Sequence, residues 1–206
     1  MKFTQKLSFM CAKWLQTSLN ENHERRNTYY YSFQILFGET SKLILLILVS
    51  ILFRVFYPTM IISIIFALYR LQAGGIHMDT NGMCMAVTLT LFTLCGIISE
   101  RYPWTLLSAL CIAIVAFLYG LYAVILYSPR ENKNRRIENK DERLTFRKRS
   151  FMFLYICFPI ILLITLVANS YTISVAASLG IILESFSLTN LGHRFFNRIS
   201  GQEKLL

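Results

Sequence analysis

Residues 104–127 read WTLLSALCIAIVAFLYGLYAVILY, twenty-four residues without a charged side chain. An α-helix rises 1.5 Å per residue, so about 20 apolar residues cross the bilayer hydrocarbon. This stretch is long enough to span. Working outward, five more apolar runs appear, at 43–53, 58–68, 85–98, 151–168 and 173–188. The run at 151–168 nearly reaches across, and 173–188 reaches with its flanks. The first two are short, closed by Arg54 and Arg70. They read either as one long helix kinked near Tyr57-Pro58, or as a hairpin whose first arm begins near Gly38. Proline removes a helical hydrogen bond and biases its predecessor away from helix, which favours the hairpin.

Charge is scarce and clustered. Only 16% of the 206 residues are charged, against about 25% in an ordinary soluble chain. A charge at mid-bilayer costs about 2.5–3.5 kcal/mol on insertion scales, which confines charge to the segments between spans. The net charge of +10 flanks apolar runs and leaves no soluble fold to present it to nucleic acid. Anionic lipid is therefore the expected counter-charge. Residues 1–42 hold six lysines and arginines and 128–150 hold nine, whereas 99–103 holds only Arg101 and 169–172 none. Six spans put all the basic segments on one side, so both termini and residues 70–84 are expected to be cytoplasmic. A single span across 43–69 would scatter them over both sides.

The expected fold is all-α, a polytopic helical transmembrane bundle of about six spans. Phe3, Leu7, Met10 and Trp14 recur at helical spacing and suggest an N-terminal amphipathic helix lying in the interface. Lys13 interrupts that stretch and no small-residue cleavage site follows, so it does not read as a signal peptide. The chain divides into an N-terminal segment 1–42, an apolar hairpin 43–69, a polar loop 70–84, two spans within 85–127, a basic loop 128–150, two spans within 151–190 and a tail 191–206.

Five cysteines, an odd number without metal-knuckle spacing, argue against a disulfide framework or a metal site. Cys95, Cys111 and Cys157 lie inside apolar runs and read as small packing residues. No cofactor is expected. His23 and His193 stand alone and suggest no role.

The stretch from Arg70 to Cys84, RLQAGGIHMDTNGMC, is where a histidine, a thiol and helix-breaking glycines converge. On one continuous helix His77 and Cys84 would share a face about 10.5 Å apart along the axis. A base must sit within about 3 Å of the thiol it activates. The loop must fold back, and Gly74-Gly75 and Asn81-Gly82 supply the turns. Cys84 then heads the next helix, where the macrodipole favours thiolate and unpaired N–H groups can hold an oxyanion. Gln72 and Asn81 are optional donors.

Ala-Gly-Gly-Ile-His after an arginine, with cysteine seven residues beyond the histidine at the head of an apolar run, resembles the accessory gene regulator B (AgrB) family. These are bacterial membrane peptidases that process quorum-sensing propeptides. The order of basic segment, hairpin, His/Cys loop, two spans, Tyr127-Ser128-Pro129, basic loop and two last spans is similar over most of the chain. The resemblance implies catalytic His77 and Cys84, an AgrD-like propeptide substrate at the cytoplasmic membrane, a thioester acyl-enzyme, and closure of a thiolactone or lactone ring. It also admits a homodimer.

Asp79 either orients His77 or is a solvated loop acid. Glu184 lies inside the last apolar run and is expected to pair with Arg70, Arg54 or His77. Arg70 either holds an acidic substrate group or marks the membrane edge. Arg135, Arg136, Arg147 and Arg149 either set topology and meet anionic lipid or capture an acidic substrate tail. Two rival classes remain: a small transporter using Glu184, and an adaptor that needs neither His77 nor Cys84.

Overall fold

The computed structural model describes residues 2–75, 81–130 and 140–199. Among them are eight helices and no strand: α1 Lys2–Leu19, α2 His23–Leu52, α3 Phe56–Ala73, α4 Asn81–Arg101, α5 Leu106–Tyr127, α6 Lys140–Leu166, α7 Tyr171–Leu188 and α8 Asn190–Ile199. Helices α2 to α7 are the six that are long and apolar enough to cross a membrane.

Residues 2–48 form one compact unit. Helix α1 ends with Asn20 at positive φ, and Glu21 N–H donates to the Gln16 carbonyl at 3.1 Å while Asn20 N–H reaches the Thr17 carbonyl. This is a left-handed cap that satisfies the last carbonyls of the helix. Phe9 meets Tyr30 edge-on at 6.2 Å and Arg26 stands over its ring, so α1 packs on the start of α2. Met10 and Trp14 remain exposed.

The short apolar runs do form two helices, but the break falls earlier than Pro58. Arg54 takes φ 58°; its N–H donates to the Ile51 carbonyl at 3.0 Å and Val55 N–H to the Ser50 carbonyl at 2.8 Å. The same left-handed cap thus ends α2. Pro58 is the third residue of α3, where a missing N–H costs no helical bond. Gly38, expected near the start of the first arm, lies inside α2, which begins at His23. Two other boundaries move. Lys140 to Ser150, assigned to the basic loop, are the first turns of α6, and much of the expected tail is helix α8.

In the second unit, from Val49 onward, α7 is the hub. It packs against α3, α4, α5, α6 and α8 and is the most buried of the spans. Lipid tails are as apolar as leucine, so helix association in a bilayer depends on close packing and hydrogen bonds. The sequence supplies small residues for this. Helix α5 buries Ala109, Ala113, Ala116, Gly120 and Ala123, a stripe at helical spacing. A Cβ at Gly120 would come within 2.9 Å of Leu154, and one at Gly180 within 3.0 Å of the Ile62 carbonyl. Inside the bundle, the hydroxyls of Thr165 and Ser174 lie 2.5 Å apart, and Ser178 donates to the Ser174 carbonyl at 2.8 Å. Helix α5 starts with a reciprocal cap between Thr105 and Ser108, which satisfies N–H groups that a helix start leaves orphaned.

Candidate active site

The site is built where α3 ends. Gly74 turns the chain at φ 80° and Gly75 at φ 154°, a region that side-chain-bearing residues avoid. Both are also close-packed. A Cβ on Gly74 would run into the Arg130 carbonyl, and one on Gly75 would sit 3.0 Å from Glu184 Oε1 and 3.4 Å from Arg70 Cζ. The glycines therefore let the backbone leave α3 while lying against α7 and the chain after α5.

Arg130 holds this junction. Its N–H donates to the Ala73 carbonyl at 3.0 Å, forming an isolated bridge of Gly74 with Arg130. Its guanidinium donates to the Leu188 carbonyl and, at 3.3 Å, to Asn190 Oδ1. One arginine thus ties the end of α3 to the α7–α8 corner. Burial lowers its pKa from the usual arginine value.

Arg70 and Glu184 meet behind Gly75. Arg70 Nη1 is 3.9 Å from Glu184 Oε2, and Glu184 is fully buried. The guanidinium also stands 5.6 Å from the Phe66 ring centroid. Of the three partners the sequence offered for Glu184, Arg70 is at charge-contact distance. That contact is too long for a hydrogen bond. Among the described residues, both Glu184 oxygens and the hydroxyls of Ser185 and Ser187 have no hydrogen-bond partner, although all three residues are buried.

Cys84 is the fourth residue of α4 and half-buried. Its side chain lines a cleft of about 50 Å³ together with Arg70, Phe66, Thr88, Phe92, Leu183, Ser187 and Phe196, among others. Each wall is a helical face. Cys84 and Thr88 on α4, Phe66 and Arg70 on α3, and Leu183 and Ser187 on α7 are pairs four residues apart. The thiol thus shares a small, mostly apolar cleft with one cation and one buried hydroxyl. In the first turn of α4, the backbone N–H groups beside it lack intrahelical partners.

His77 and Asp79 lie outside the described residues, as do Arg135 and Arg136. Gln72 is half-buried in the last turn of α3, and Asn81 is the first residue of α4. Arg147 donates to the Ile125 carbonyl at 2.5 Å, and Arg149 stands over Phe146. Arg143 instead lines an open cleft of about 410 Å³ with Tyr127, Arg130 and Asn190. Among the described residues no three His, Cys, Asp or Glu side chains gather as metal ligands. Sequence reasoning passed over Arg130, Ser187 and Phe196. No local signal marks them, because each reaches the site across the bundle.

The family model described as Accessory gene regulator B matches residues 8–188. A putative AgrB-like protein of Clostridium perfringens (strain SM101 / Type A) is 25% identical over 98% of this chain and 99% of its own length. The accessory gene regulator protein B of Staphylococcus epidermidis is 26% identical over 91% of this chain and 92% of its own. That of Staphylococcus aureus (strain bovine RF122 / ET3-1) is 26% identical over 86% and 89%. No solved structure matches.

Proposed function

The chain belongs to the accessory gene regulator B family, and from that premise we propose that it is a membrane-embedded cysteine endopeptidase. Membership ties this multi-pass membrane protein to the processing of accessory gene regulator quorum-sensing peptides. In the finer reading, His77 takes the Cys84 proton and the thiolate attacks a peptide carbonyl of a short, membrane-bound, AgrD-like propeptide. The tetrahedral intermediate collapses, His77 returns the proton to the leaving amine, and the C-terminal tail departs. An acyl thioester remains on Cys84. A thiol or hydroxyl of the precursor then attacks it, closing a thiolactone or lactone ring and restoring the thiol. Forming a thioester from an amide is uphill, so departure of the tail and ring closure must draw the step forward.

The observation that carries this reading is the half-buried Cys84 in the first turn of α4, opening on a cleft that Arg70 also lines. The N–H groups that begin that turn, without intrahelical partners, suit the oxyanion, and a partly desolvated guanidinium suits either the oxyanion or an acidic substrate group. Glu184, buried and paired with Arg70, fits a part in holding that cation better than a part in carrying a solute. The basic segments fit a cytoplasmic face in contact with anionic lipid, and a homodimer is compatible with this arrangement.

Proteoliposomes carrying the protein and an AgrD-like precursor test the reading. Cys84→Ala should reduce tail release by about 10³-fold or more with insertion unchanged, and the wild type should form a thiol-labile adduct with the precursor. Equal processing by both proteins would remove Cys84 as nucleophile.

A further inference from the structure

Helix α8, Asn190–Ile199, starts two residues after the last span ends at Leu188, at the depth where the chain leaves the hydrocarbon. Thr189 makes the corner. Its N–H donates to the Phe186 carbonyl at 3.1 Å, and its hydroxyl accepts from Gly192 N–H at 3.1 Å, capping the new helix. Gly192 has no room for a side chain, because a Cβ there would strike the Phe186 carbonyl. The Phe186 ring meets Phe195 at 5.9 Å and Phe196 at 6.1 Å. Phe196 therefore fixes the inner face of α8 to the bundle, while Phe195, at the boundary of the two faces, touches Phe186 and stays partly exposed.

The outer face is divided. Leu191, Phe195 and Ile199, four residues apart, are 71%, 45% and 38% exposed. Arg194 and Arg198, also exposed, lie beside them on the adjoining arc at 100° per residue. An apolar stripe flanked by arginines, on a helix leaving a span, is the pattern of a segment lying in the bilayer interface. Water would leave the stripe unburied, and a purely hydrocarbon setting would desolvate the arginines. The headgroup layer of an anionic bilayer accommodates both.

We propose that α8 docks on the headgroup layer of an anionic bilayer, and that docking holds Phe196 as a wall of the cleft that Cys84 lines. The inner-face contacts transmit the constraint. Phe196 reaches the cleft from the same helix whose outer face meets lipid.

The test uses the full chain in vesicles, with Leu191→Trp as a fluorescent reporter against the parent's background. In phosphatidylcholine vesicles containing phosphatidylglycerol, acyl chains brominated near the glycerol should quench the new tryptophan, while aqueous iodide should not. Quenching by iodide alone would overturn the proposal in favour of a solvated tail. Protection from both quenchers would overturn it in favour of a protein neighbour, such as a second copy. The double substitution Arg194→Gln and Arg198→Gln should shift the docked-to-undocked ratio by roughly 30-fold in those vesicles and by far less in phosphatidylcholine alone. It should also speed maleimide modification of Cys84, read by peptide mass spectrometry, which requires no processing activity. An unchanged labelling rate alongside lost docking would disprove the link between α8 and the cleft.

Discussion

The two sides of α7 are built by different rules. Toward α5 and α6, small residues bring backbones together and the hydroxyls pair internally, as Thr165 does with the Ile161 carbonyl at 2.7 Å and with Ser174. Toward the cleft, the same helix carries Glu184 and Ser187, both buried and neither in a close hydrogen bond among the described residues. An unpaired polar group in a low-dielectric interior costs about 1–3 kcal/mol. The first side is a packing surface. The second keeps polar groups beside Arg70 at a cost in stability, which folding alone does not require. Such costs are tolerated where a site must meet something polar.

That contrast is open to measurement. Arg70→Met would leave Glu184 buried without its cation; with Arg70 partly exposed and the contact at 3.9 Å, the loss should be about 3 kcal/mol, the low end for a broken buried pair. Unfolding in detergent should show that loss, and Glu184→Gln introduced into Arg70→Met should recover much of it. No recovery would mean that the 3.9 Å contact carries no stability. Where α7 packs directly on α3, Gly180→Val should cost about 1–3 kcal/mol by overpacking against Ile62 and Ile65. An unchanged melting temperature would show that α3 and α7 can separate freely. Thr165→Val removes a satisfied interhelical hydroxyl contact, for which about 0.6 kcal/mol is usual in membranes; a loss several times larger would erase the distinction between the two sides.

The smallest effect concerns pH. Burial, and then the nearby Arg130, lower the His193 pKa, and His193 Nδ1 lies 3.1 Å from Asn197 Nδ2. A histidine whose folded pKa is depressed binds its proton more readily when unfolded, so stability falls as pH drops through about 6.5, the unfolded value. Arg130 faces it from outside α8, and Arg194 and Arg198 lie on its own helix. His193→Gln should flatten the loss of stability between pH 7 and the folded pKa, followed by thermal unfolding.

The helical spans are largely legible in the sequence. Six spans follow from the lengths of the charge-poor runs, and the Arg70–Cys84 stretch stands out because glycines, a histidine and a thiol rarely gather between spans. The placement of Cys84 at a helix start was also readable, although α4 begins three residues earlier, at Asn81. Helix ends were less legible. Arg54 takes the left-handed cap that a glycine usually fills, so Pro58 drew attention away from the true break.

By itself the sequence determined the six segments long and apolar enough to cross a membrane and singled out Arg70–Cys84 as the candidate for chemistry, because hydropathy and turn residues act locally along the chain. Only the tertiary structure decided that Glu184 meets Arg70, that Arg130 fastens α3 to the α7–α8 corner, and that Phe196 reaches the cleft of Cys84. Those pairings join residues far apart in the chain, and they depend on which small residues let two helices approach and at what rotation. No local pattern records that geometry.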